Sequence, residues 1–116
     1  MSSEVKVTVR EGGELSVTGP VTIDNVMATV AQGVALFSQE NQMVDLGGIT
    51  EVDSSAVSML LEWQRETGRR GRQIQYANIP PKLHNLVRLY GVAELVPLAE
   101  ARQKGPNDVP VTGARE

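Results

Sequence analysis

No part of this chain limits its fold more than Val44-Asp45-Leu46-Gly47-Gly48-Ile49-Thr50-Glu51-Val52-Asp53-Ser54-Ser55-Ala56-Val57. It reads as a buried strand over 43–46, a short glycine loop at Gly47-Gly48, and then Asp53-Ser54-Ser55 at the mouth of an apolar helix over 54–67. Three polar side chains thereby gather where a helix presents unpaired backbone N–H groups and the positive end of its dipole. Such a position favours a hydroxyl that carries, or borders, negative charge.

The flanking segments supply partners for this unit. Val5-Lys6-Val7-Thr8-Val9-Arg10 alternates apolar and polar, the period of a half-buried strand. Glu11-Gly12-Gly13-Glu14 is a turn, and Leu15-Ser16-Val17-Thr18 alternates again, so the two predict a hairpin closed by Gly19-Pro20. Val21-Thr22-Ile23 follows as a linker or a brief continuation of the strand. Asp24-Asn25 caps a first helix whose Val26, Val30, Val34 and Phe37 share a face, with Met27 and Ala31 beside them. Beyond the central helix, Gly68 and Gly71 bracket the exit into a strand over 72–77. Pro80-Pro81 then opens a third helix striped by Leu83, Leu86, Val87 and Tyr90, which Gly91 stops. Leu95-Val96-Pro97-Leu98 is expected to dock a last short segment. A hairpin followed by alternating helix and strand predicts one α/β domain over 1–101, a four- to five-stranded mixed sheet with helices packed mainly on one face. Residues 102–116 are dominated by Gly, Pro, Asn, Asp, Thr and Arg and are expected to form a disordered tail.

Composition narrows the chemistry. With 3% aromatic residues the core must be built from Val, Leu, Ile, Ala and Met. There is no cysteine, so disulfides, thiolate metal sites and cysteine nucleophiles are excluded. His84 is the sole histidine, expected on an exposed or partly buried helix face, and no metal site is expected. A net charge of −3 is too mild for a nucleic-acid binder. The basic run Arg65, Arg69, Arg70 and Arg72 has no interleaved aromatics and suits a solvated helix end that complements the dipole. No Walker-type loop, no nucleophile–base–orienter set and no apolar run near the ~20 residues of a membrane span are present. The expectation is a non-enzymatic, cytoplasmic protein without cofactor or membrane insertion, monomeric when isolated.

The central helix has one anomaly. At about 100° per residue, Ala56, Val57, Met59, Leu60, Leu61 and Trp63 cover an arc of roughly 200°. A helix lying on a sheet needs only about 100°. Either a neighbouring element covers the surplus, or Met59 and Trp63 protrude as an apolar ledge beside the polar row Ser55, Ser58 and Glu62. Met and Trp are common at partner contacts, so the expected interface is Asp53, Ser54, Ser55, Ser58, Met59, Glu62 and Trp63. Asp53 and the serines also suit helix capping alone, worth about 1 kcal/mol.

The hairpin, the helix, Val44-Asp45-Leu46-Gly47-Gly48-Ile49 leading to Val52-Asp53-Ser54-Ser55-Ala56-Val57, and then Arg72-Gln73-Ile74-Gln75 with a final helix, together resemble the STAS domain. The resemblance spans roughly residues 5 to 99. This family includes bacterial anti-sigma factor antagonists, modules of sulfate transporters and a small subunit of the Mla phospholipid ABC transporter. The resemblance implies a partner-binding domain whose recognition surface is the helix beginning at the Asp-Ser motif. In the antagonists a cognate kinase phosphorylates a serine or threonine there, which by position is Ser54, with Ser55 the close alternative. Ala56 stands where the antagonists usually carry glycine. Leu86-Val87-Arg88-Leu89-Tyr90-Gly91-Val92 followed by Leu95-Val96-Pro97 is similar to the Mla-type subunit. That branch implies an accessory subunit binding the cytoplasmic ABC ATPase of a phospholipid transport system. The alternative is an anti-sigma factor antagonist switched by phosphorylation of Ser54 by an anti-sigma factor kinase.

Overall fold

The computed structural model describes residues 4–99; the expected tail over 102–116 lies outside them. Strand β1, Lys6–Val9, turns through a 3-10 segment at Glu11–Gly13 into β2, Leu15–Val21. Helix α1, Val26–Leu36, leads to β3, Asn41–Val52; α2, Ser55–Arg69, leads to β4, Gln73–Ala77; and α3 spans Pro81–Leu89. The sheet order is β1-β2-β3-β4, antiparallel across β1 and β2 and parallel across the other two pairs. Leu98 forms a parallel bridge to Tyr76, with Tyr76 N–H donating to Pro97 O at 2.9 Å and Ala99 N–H to Tyr76 O at 2.8 Å. The segment 95–98, expected to dock without a stated place, thus adds a rudimentary fifth strand to the β4 edge.

Since β2, β3 and β4 lie side by side in chain order, two right-handed crossovers bring α1 and α2 to the same face. The register row Val9, Leu15, Val44 and Tyr76 faces them. Leu15, Val44 and Tyr76 are fully buried there, with Tyr76 Oη donating to Leu60 O at 2.7 Å. Such burial lifts the phenol well above its ordinary value of 10.0. The neighbouring row Thr8, Ser16, Asp45 and Ala77 faces away from the helices. There Arg10 closes over Asp45 at 2.8 Å and donates to Ser16 Oγ at 3.2 Å. Burial opposes the charge on Asp45, but hydrogen bonds from Gly47 N–H, Asn78 and Arg10 outweigh it and lower the pKa.

Two expectations change here. Gly47-Gly48 is not a loop: β3 continues through it to Val52, and β2 likewise runs through Gly19-Pro20 to Val21. The pairing slips between Ser16 and Thr18 and again between Gly19 and Pro20, so β3 accommodates extra residues as bulges. Glycine is needed there for closeness, because a Cβ on Gly48 would sit 2.6 Å from Thr18 Cγ2 and 3.1 Å from Val17 O. Gly12-Gly13 is the true turn, with φ of 88° and 92°.

The second change concerns the face of α1. Its buried residues are Val26, Thr29 and Gly33, continued by Phe37 at the C-cap, whereas Val30 and Val34 are half-buried and Ala31 and Met27 are exposed. The rotation follows from Trp63. Its indole packs against Gly33, where an added Cβ would sit 2.5 Å from Cζ2. Nε1 donates to Val30 O at 3.1 Å, and Phe37 meets the ring edge-on with centroids 5.9 Å apart. On α3, Leu83 and Val87 are buried while Tyr90, expected in the stripe, is exposed.

Candidate functional site

The site forms where β3 ends and α2 begins. Asp53, not a serine, caps the helix. Ser54 already has helical dihedrals (φ −63°, ψ −21°), so the capping carboxylate sits one residue ahead of it. Asp53 Oδ1 accepts the Ser55 backbone N–H at 2.9 Å and also the Ser55 hydroxyl. Its other oxygen accepts Ile23 N–H at 2.9 Å, which ties the loop between β2 and α1 to the start of α2. The Ser55 hydroxyl foremost, and then these N–H groups, hold the Asp53 pKa below its ordinary 3.8. The carboxylate therefore stays charged at neutral pH.

These bonds separate the two serines. Ser55 is buried, its hydroxyl committed to Asp53. Ser54 is exposed, and its side chain makes no capping bond. Buried as it is, Ser55 is corrected from candidate modification site to part of the cap. Ala56 is fully buried, so its methyl group points into the core and leaves the approach to Ser54 clear.

Two shallow clefts meet at Ser54. One, about 440 Å³, runs toward α3 and is lined by Val52, Asp53, Ser54, Lys82, Leu86 and Leu89 among others. A second of about 300 Å³ is lined by Ser54, Val57, Ser58, Leu61, Tyr90 and Val92. Tyr90 also borders the first cleft and so forms the ridge between them. On the α1 side, a groove of about 310 Å³ is lined by Val26, Met27, Val30, Ser58, Met59 and Glu62.

The expected ledge does not exist. Met59 and Trp63 are both fully buried, Trp63 beneath α1 and Met59 at the floor of the α1–α2 groove. α1 is the second cover that the wide apolar arc of α2 requires. Of the expected interface residues, Asp53 and Glu62 are half-buried, and Ser54 and Ser58 are exposed. Glu62 pairs with Arg65 at 3.0 Å. The exposed apolar side chains are others: Leu89 and Tyr90 (75% and 53% exposed) share a cleft with Ser54, Ile23 (72%) lies in the loop tied to Asp53, and Met27 (83%) lines the α1–α2 groove with Ser58. The sequence carried one usable sign of them, that Leu89 falls off the apolar stripe of its own helix.

A family model described as "Mlab, STAS domain" matches residues 7–97. No curated protein sequence matches significantly. Among solved structures, the anti-sigma factor antagonist SpoIIAA in its unphosphorylated form superposes with a TM-score of 0.64 at 15% identity, covering 92% of this chain and all of that one. An anti-sigma factor antagonist from Mycobacterium paratuberculosis gives a TM-score of 0.65 at 17% identity, covering 86% of this chain and 89% of the other. SLC26A9 gives 0.58 at 18% identity, where 69% of this chain covers 16% of a much longer protein. At such identities the likeness is one of fold. The family model spans most of the chain, and the chain belongs to the STAS domain family.

Proposed function

We propose that this chain is a non-enzymatic, cytoplasmic binding subunit that docks on the ABC ATPase of a phospholipid transport system through the surface around Ser54. The observation that carries the binding role is the contrast between the serines: Ser55 is locked into the cap, while Ser54 stands exposed beside apolar side chains. An exposed hydroxyl at a helix start, sharing a cleft with exposed Leu89 and Tyr90, has the polar centre and apolar anchors of a recognition patch. The family description, which names the Mla-type subunit, favours the transporter branch.

A second reading has its own support. The same hydroxyl sits at the positive end of α2, where a phosphoryl group is favoured, and the similar SpoIIAA and mycobacterial proteins are antagonists. Here an anti-sigma factor kinase would modify Ser54, and the added charge would release the partner.

Replacing Ser54 with a photo-crosslinking phenylalanine analogue in the producing cell tests both. An ABC ATPase at that position upholds the first reading and a kinase the second. Crosslinks to neither would overturn both.

A further inference from the structure

The α1–α2 groove beside Ser54 carries a charge pattern that nothing so far has used. Between Arg10 and Arg65 the chain holds no Lys, Arg or His, while eight Asp and Glu fall in that stretch, of which Glu14 and Asp45 pair with Arg10 away from the groove. The stretch includes all of α1 and the first half of α2. The groove's lining is mostly apolar, with Met59 as floor and Met27 as an exposed rim. Its surroundings are acidic. Glu62 lines it, and Asp24 stands exposed two residues before Val26, which also lines it. Glu62 is paired with Arg65, toward the far end of α2, in an exposed pair of little energetic weight.

We infer that this groove receives a basic amphipathic helix of a partner protein, which places one or two apolar side chains over Val26, Val30 and Met59 and its Lys or Arg residues against Asp24 and Glu62. The inference rests on the binding role proposed above and goes beyond it by fixing the partner's chemistry. An apolar groove supplies affinity, and rim charges of one sign set partner choice and speed of encounter. The same charges repel an anionic lipid surface, so the occupant is protein.

The test uses full-length chains with the photo-crosslinking analogue at Met27 or at Ser54, expressed in the producing cell, with crosslinked peptides identified by mass spectrometry. The inference requires Met27 to capture a segment that is helical in period and rich in Lys and Arg. Capture at Ser54 with none at Met27 overturns it but leaves the binding role standing. Failure at both positions removes the binding role as well. An acidic or neutral segment, a second copy of this chain, or lipid at Met27 also overturns it. A synthetic peptide of the captured segment should then bind the chain in a salt-sensitive way, and the double reversal Asp24→Lys with Glu62→Lys should weaken it about tenfold. Unchanged affinity in a folded double variant contradicts the charge argument.

Discussion

Trp63 and Ser54 belong to the same helix and meet opposite fates. Trp63 is fully buried, its ring against Gly33 and its N–H on Val30 O. Ser54 is exposed without a capping bond. Their difference teaches that the fate of a helix flank is decided by its neighbour. The apolar arc of α2 is wide because two surfaces cover it, the sheet on one side and α1 on the other. The glycine that admits the indole lies 30 residues away in another helix. At the mouth of α2 the neighbour does the reverse: Asp53 satisfies Ser55 and Ile23, and so frees Ser54 of any capping duty.

The contrast breaks most visibly at Trp63. Trp63→Ala should cost about 3–5 kcal/mol, a large share of what holds a domain of this size together, and denaturant melts would measure it. A loss within about 0.5 kcal/mol, the range of an ordinary surface change, would return Trp63 to the surface. Gly33→Val probes the other side of the same contact. The new side chain must displace the indole, and overpacking of this kind costs about 1–3 kcal/mol. Full stability in that variant would mean that α1 does not clamp Trp63.

At the mouth the effects are smaller. Asp53→Ala should cost about 1 kcal/mol through the lost cap and the freed loop. Because folding lowers the Asp53 pKa, its contribution is fully present above the ordinary value of 3.8 and is lost as pH falls through the lowered one. The stability gap between wild type and Asp53→Ala should therefore close in acid; a gap that widens there would contradict the cap. Smallest of all, Ser54→Ala should stay within about 0.5 kcal/mol of wild type, since nothing in the fold leans on that hydroxyl.

The hairpin, the helix positions and the capped Asp-Ser mouth were legible because each rests on local period or on a single cap; the order of the strands in the sheet was not, because pairing joins residues far apart in the chain. The two glycine pairs were not distinguishable by composition. Gly12-Gly13 turns the chain with positive φ, whereas Gly47-Gly48 sits within a strand, where β2 passes too close to Gly48 for a Cβ. Met59 and Trp63 misled for a related reason: an arc records how much surface is apolar and not what lies over it. The exposed set Ile23, Met27, Leu89 and Tyr90 depends on how α1 and α3 are rotated, which only tertiary packing fixes.

The central claim is that Ser54 serves recognition while Trp63 of the same helix serves the fold, and Ser54→Glu tests the first half on one variant. Thermal unfolding and affinity for the protein captured at position 54 should be measured side by side. The account predicts a melting temperature close to wild type together with clearly weakened binding, as added charge meets a partner surface shaped for a neutral hydroxyl. Undiminished binding, or a domain that unfolds, would contradict it.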